Sequence, residues 1–201
     1  HLLFTIGPLS GLLPGESQFA AITKSPLTGT FLDSYSGGAF ADALVGALDG
    51  ALAVAVTGQA DEPVVLELDA GEATLSSAAA LWGRDAIETC EAFDGAVACV
   101  GPAGENGIRY ATIASDAGDH HAGRGGAGAV MGAKRLKAVV ARGDSPEYPP
   151  KVAALRETYE RRYHEHDVGR WHAASATLET VDFADEVGVL ATRGWQEGAF
   201  D

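Results

Sequence analysis

The chain has 201 residues, enough for one sizeable domain or one domain plus part of another, and with 46% hydrophobic and 21% charged residues it is not a disordered polypeptide by composition. Twenty-eight acidic residues oppose fourteen basic ones, only four of them lysine, so the net charge is −14 and the field repels nucleic acid and anionic membranes. No run of about 18 apolar residues occurs, which excludes a transmembrane helix.

The opening HLLFTIGPLSGLLPG carries no basic leader and meets Pro8 and Pro14 early, so no signal peptide is expected and the location is expected to be cytoplasmic. With a first residue other than Met, on an apolar strand-like run, the chain is expected to be a piece of a longer protein. Its lysine-poor, acidic composition suits a salt-rich cytoplasm and an ordinary acidic cytosolic protein equally well.

In chain order, LLFTI (2–6) and QFAAITK (18–24) read as strands and SPLTGT (25–30) as a turn, because Pro and Gly at this density exclude long helices. GGAFADALVGALDG (37–50) places apolar residues at helical spacing behind Gly37 and Gly38. ALAVAVTG (51–58) and PVVLELDAG (63–71) are strands, and Asp69-Ala70-Gly71 turns the second into a return strand, GEATLSS. SSAAALWGRDAIETCEAF (76–93) reads as a helix interrupted at Gly83, with Ile87, Cys90 and Phe93 on one side. AVACVGPAGEN (96–106) is a strand running into a turn where Glu105 and Asn106 bond locally, and GIRYATIASD (107–116) is a further strand. A helix or tight turn is expected within 126–136, then a strand, LKAVVARG (136–143).

Beyond Gly143, DSPEYPP (144–150) is a linker by its prolines. KVAALRETYERRYHEHDVGRWHAA (151–174) is a charged amphipathic helix expected to end near Gly169, and a further helix stops at Gly188. Within the strand-rich part, SGGAFADALVGALDGALAVAV and RGGAGAVMGAKRLKAVVAR share one order: a glycine pair, a short helix, a strand.

The stretch HHAGRGGAGAVMGAKRLKAVVARG (120–143) stands out. Gly123-Arg124-Gly125-Gly126-Ala127-Gly128 fits G-x-G-x-x-G, but the polar SDAGDHH ahead of it is not the strand that a dinucleotide fingerprint needs. Gly132-Ala133-Lys134-Arg135 lacks the Ser or Thr of a Walker loop. Two readings stay open. Bare main-chain amides at a helix start, with the Arg124 fork among them, suit a phosphate; alternatively the glycines only permit a close chain crossing, and Arg124 pairs with a surface acid.

Other residues are less informative. Cys90 and Cys99 lack metal-site spacing and read as small buried hydrophobes, with a disulfide disfavoured in a cytosolic chain. His164, His166 and His172, with Glu165 and Asp167, fall on different helix faces and read as solvated. Trp82, Trp171 and Trp195 are expected to anchor a core or an interface, and no nucleophilic triad is readable.

The glycine stretch resembles the signature of the aldehyde ferredoxin oxidoreductase family, A-G-R-G-G-x-G-A-V-M-G-x-K-x-L-K-A. Further similar motifs follow the family's order: TIGPLSG (5–11), ITKSPLTGTFLDSYSGGAF (22–40), LWGRDAIETCEAF (81–93), CVGPAGENGIRYATI (99–113) and VGVLATRGWQEGAFD (187–201). The resemblance implies an α+β fold of duplicated, intertwined strand-rich repeats forming folded sheets with short helices, followed by the start of an α-helical domain. Residues 1–143 would be the pterin-cofactor-binding N-terminal domain, lacking its own N-terminus, 144–150 a linker, and 151–201 the beginning of the helical second domain.

It further implies a tungsten or molybdenum bis-pterin enzyme that oxidises aldehydes to carboxylic acids and passes electrons through a [4Fe–4S] cluster to ferredoxin. The cluster ligands and proton-transfer residues would lie outside these 201 residues, so none of the residues here is expected to be catalytic. A homodimer is compatible with this reading. By position, tungstopterin contacts fall on Ser36, Gly37, Gly38, His121, Ala122, Gly123, Arg124 and Gly125. A Mg²⁺ ion between the pterin phosphates would take backbone carbonyls of Tyr35 and Ala122. Tyr35 replaces the family's usual Asn, which a carbonyl ligand tolerates, whereas Gln18 and His120 stand in place of arginines, removing two cations. The alternative is a non-catalytic cofactor carrier or partner subunit that keeps the fold.

Overall fold

The computed structural model describes residues 1–12, 17–143, 148–174 and 176–200, so most of the expected linker lies outside the described residues. The chain divides into two compact units, His1–Tyr148 and Pro149–Asp201.

The first unit holds two sheets. Strands β1 (Leu2–Ile6), β2 (Phe19–Lys24), β3 (Phe31–Ser36) and β4 (Ala53–Val56) form an antiparallel sheet in the order β3-β2-β1-β4. The second sheet has six strands: β5 (Val64–Asp69), β6 (Glu72–Ser77), β7 (Ala96–Cys99), β8 (Ile113–Ser115), β9 (His120–Ala122) and β10 (Leu136–Arg142), ordered β6-β5-β10-β7-β8-β9. Only β5 and β10 run parallel. Edge strand β3 of the first sheet lies beside edge strand β9 of the second, where the Ser34 hydroxyl donates to the Gly123 carbonyl at 2.7 Å.

The sequence explains most of these elements. β10 reads LKAVVAR, a near-continuous apolar run, and is buried on both faces between two hydrophobic clusters. Helix α1 (Ala39–Ala47) packs Phe40 edge-on against Phe19 at 4.9 Å between centroids and against Phe4 at 6.3 Å, which seats it beneath the first sheet. The Ala70-Gly71 hairpin has φ of 44° and 83° at its two central residues, the left-handed pair that matches strand twist.

Several expectations are corrected. Residues 31–36, for which the sequence pattern gave no element, form β3, completing the first sheet's edge. The helix expected over 76–93 shrinks to α2 (Ala86–Glu91), and 79–83 are turns. Gly83 at φ 91° breaks the first half, and Asp85 and Glu88 start the helix afresh with a capping box. Cys90 and Phe93 pack inward from it, but Ile87 is exposed. GPAGE folds as a short helix, α3 (Pro102–Glu105), and the strand expected over 107–116 is confined to β8. A 3₁₀ turn at Asp116–Gly118 follows β8, and α4 (Ala127–Ala133) begins behind Gly126.

The second unit comprises α5 (Pro150–Glu165), α6 (Asp167–Ala174) and α7 (Glu179–Glu186); Gly188 follows α7 at φ 72°. His164, His166 and His172 are exposed, and no grouping of three His, Cys, Asp or Glu among the described residues could hold a metal ion. The tryptophans are not core anchors: Trp82 and Trp171 are half-buried and Trp195 is 82% exposed. Among the described residues no helix is long and apolar enough to cross a membrane.

Candidate cofactor site

The glycine corner between β9 and α4 has two sides. On the inner side, Gly125, Gly126 and Gly128 are buried by a close chain crossing. A Cβ on Gly126 would stand 2.1 Å from the Arg109 carbonyl oxygen, and one on Gly128 would stand 2.2 Å from that of Thr112. Gly125 is pressed by Leu32, and its carbonyl accepts from the Ser25 hydroxyl at 2.7 Å. These glycines are therefore required by packing, as the close-crossing reading expects.

The outer side is open. Gly123 and Arg124, with Leu32, Asp33, Ser34, Tyr35, Thr112 and His121, line a cavity of about 550 Å³ along the seam of β3 and β9. Arg124 is exposed and in the left-handed region at φ 62°, and among the described residues no hydrogen bond or ion pair engages its guanidinium. Among the described residues no acid neutralises it. The packing reading thus accounts for the glycines, and Arg124 lines the cavity without an internal partner among the described residues.

Around this cavity the other expected residues take distinct places. The His121 Nδ1 shares a 3.0 Å hydrogen bond with Thr112 Oγ1, leaving its second ring nitrogen uncommitted. Ala122 is fully buried in β9, opposite Ile113. Tyr35 is exposed, and the Asp33 carboxylate that accepts its hydroxyl hydrogen bond raises its pKa above the ordinary phenol value. Tyr35 also borders a second cavity of about 420 Å³ that includes Gln18, Ser10 and Thr5, so the two cavities flank one side chain. Ser36 is buried, and its hydroxyl has no hydrogen-bond partner among the described residues.

Gly37 and Gly38 begin α1, but the amides there are already served. The Asp116 carboxylate accepts from Ala39 N–H at 3.1 Å and Phe40 N–H at 3.3 Å. His120 lies over Gly38, its Nε2 3.9 Å from Asp116 Oδ2. The structure therefore brings Tyr35, His121, Gly123 and Arg124 to one cavity with Ser36 nearby in β3. It places Gly125 on the packed side and gives Gly38 an internal carboxylate.

Sequence reasoning overlooked one buried pair. Lys137, fully buried in β10, donates to Glu105 Oε1 at 2.6 Å and to the carbonyls of Arg84 and Val100 at 2.7 Å each. The other Glu105 oxygen accepts from Gly83 N–H at 2.8 Å. All three ammonium protons are matched, so this charge fixes α3 and the Gly83 turn to the sheet. A lysine inside an apolar strand was the available signal; Glu105 was instead expected to bond only locally, as Asn106 does to the Pro102 carbonyl.

Comparison with known proteins matches residues 1–143 to the aldehyde ferredoxin oxidoreductase N-terminal domain. The chain belongs to this family. It is 37% identical over 212 residues to the tungsten-containing aldehyde ferredoxin oxidoreductase of Pyrococcus abyssi, covering all of this chain and 34% of that protein. The tungsten-containing aldehyde ferredoxin oxidoreductase of Pyrococcus horikoshii is 36% identical over 211 residues, covering 99% and 34%. The aliphatic sulfonate oxidoreductase WOR-like subunit of Pyrococcus furiosus is 32% identical over 168 residues, covering 72% and 26%. Among solved structures, the active site complex BamBC of benzoyl coenzyme A reductase, in complex with 1,5-dienoyl-CoA, superimposes with a TM-score of 0.71 at 33% identity, over 83% of this chain and 27% of that one. The chain thus spans about a third of the aldehyde ferredoxin oxidoreductases it matches, and these relatives place it in a tungsten oxidoreductase family with an α+β N-terminal domain.

Proposed function

We propose that residues 1–143 cradle the bis-pterin of a tungsten (or molybdenum) enzyme that oxidises aldehydes to carboxylic acids and delivers electrons to ferredoxin. The observation that carries this reading is the unpartnered Arg124 guanidinium in the β3–β9 cavity. In a chain of net charge −14, an arginine that lines a cavity at the seam of two sheets, without an acidic partner among the described residues, suits an anionic ligand from outside the chain. Supporting it, relatives whose names carry different substrates share this domain, as expected of a part that holds what they have in common rather than one that selects the substrate.

The residues fit the group. Arg124 would bind phosphate oxygens through its planar fork, with the Gly123 backbone allowing close approach. Ser36 would give its orphaned hydroxyl a partner, and His121, oriented by Thr112, would offer its second ring nitrogen. The carbonyls of Tyr35 and Ala122 would serve Mg²⁺, a hard cation that takes oxygen ligands. When bound, the metal–pterin group supplies the two-electron oxidation of the aldehyde. The chain's own residues would bind and orient it. A [4Fe–4S] cluster would be held by cysteines outside residues 1–201, since Cys90 and Cys99 lack cluster spacing.

A second reading, a carrier or partner subunit without redox activity, is favoured by Gln18 in the neighbouring cavity and by His120, which leans on Asp116 where the family carries arginine. Elemental analysis of the full-length protein grown with tungstate separates the two. The enzyme reading expects one tungsten and about four irons per chain; absence of both metals selects the subunit reading.

A further inference from the structure

The two cysteines meet on the face of the six-stranded sheet that α2 covers. Cys99, fully buried in β7, sits in the cluster of Val65, Ala78, Val97, Ala138 and Val140, and Cys90 packs against that cluster from α2. The Cys99 thiol approaches the Ala86 carbonyl at 3.8 Å, one helical turn before Cys90 on the same helix, and the two thiols are near enough to interact. Their exposures differ: Cys90 is half-buried and Cys99 is sealed.

The surroundings divide the pair chemically. A hydrogen bond from Cys99 lowers the Cys90 pKa to about 7, against partial desolvation, with help from the Ala117 backbone and opposition from Asp116. The same shared proton and deeper burial raise Cys99, with Asp85 adding to the effect and Lys137 opposing it. Cys90 therefore has the accessibility and anionic character of an attacking thiolate, and Cys99 holds a proton beside it.

We propose that Cys90 and Cys99 form a dithiol site that reacts with peroxide and closes to a reversible disulfide. The Cys90 thiolate attacks one peroxide oxygen and the O–O bond breaks. Cys90 becomes a sulfenic acid, and the departing oxygen leaves as water after taking a proton. The Cys99 sulfur then attacks the Cys90 sulfur, an S–S bond forms, and the sulfenic oxygen leaves as water with the Cys99 proton. Two thiols lose two electrons in total, and one peroxide is reduced to two waters. A dithiol reductant reverses the change by thiol–disulfide exchange. This site is independent of the cofactor reading, because its chemistry needs neither tungsten nor pterin.

The test uses the full-length protein treated with hydrogen peroxide, quenched with N-ethylmaleimide and digested with trypsin without reductant. Both cysteines fall on one tryptic peptide, Asp85–Arg109. The expected product is that peptide lighter by two hydrogens and free of maleimide, returning to the doubly labelled form after dithiothreitol. Recovery of the doubly labelled peptide from peroxide-treated protein overturns the proposal, as does accumulation of Cys90 sulfinate with Cys99 still labelled. A Cys99→Ser variant is expected to accumulate Cys90 sulfenic acid, trapped by dimedone, many-fold above wild type; equal trapping in both proteins removes the resolving role of Cys99.

Discussion

The two glycine-pair helix starts, Gly37-Gly38 before α1 and Gly125-Gly126 before α4, look alike in sequence and end in opposite electrostatic states. At α1 the first amides are capped by Asp116, a residue 77 positions away from Ala39 in the chain. At α4 the start is sealed against the Arg109–Thr112 backbone, Gly128 N–H donates to the Ala111 carbonyl at 3.0 Å, and the uncompensated charge is the neighbouring Arg124. One start carries its own anion and the other presents a cation. A helix start is thus an anion site only where the fold leaves it unfilled.

Substitutions at the two starts break this comparison at graded points. The largest effect is expected for Gly126→Ala, because a Cβ there overlaps a backbone carbonyl and φ is 83°. Strain and overlap together should cost roughly 2–5 kcal/mol, read as a drop in Tm of the order of 10 °C. Gly38→Ala has a similar φ of 89°, but its Cβ meets side chains, Asp116 and His120, rather than backbone, so strain plus displacement of the α1 cap should cost about 2–3 kcal/mol in the same melting assay. A loss equal to that of Gly126→Ala would mean the two starts are equally rigid.

Asp116→Ala removes the α1 cap and should cost about 1 kcal/mol by chemical denaturation, with Asp116→Asn retaining part of the cap and tolerating the φ of 52°. Arg124→Ala should change stability least, within about 0.5 kcal/mol. The same variant is expected to lose most of the tungsten retained by the full-length protein. A large fall in Tm for Arg124→Ala, with tungsten retained, would show the guanidinium to be structural and remove the main support for the cofactor reading.

Much of the fold was legible because its elements follow local rules. Alternating or continuous apolar runs marked β1, β2, β4, β5 and β10, and the hairpin after Asp69 followed from its turn residues. FLDSYS carried no such mark. It is a strand because β2 pairs with it in register from Phe19–Ser36 to Lys24–Phe31, and because Ser34 reaches the Gly123 carbonyl. The candidate site was legible in part for the same reason: its motifs named Ser36, Gly123 and Arg124, but the seam that gathers them joins edges of two sheets, and no local pattern encodes that. The roles within the glycine run were equally hidden, since which glycine meets a carbonyl and which meets a cavity depends on the chain crossing it.

The sequence by itself determined the family, the succession of short strands and helices, and the acidic composition in which Arg124 is set, because these depend on residue type and near-neighbour spacing. Tertiary structure decided that Asp116 fills one helix start, that Lys137 and Glu105 neutralise each other in the interior, and that Cys90 meets Cys99. Each of these joins groups from separate elements, and the energy of a charge or a thiol is set by whichever partner the fold brings within a few ångströms.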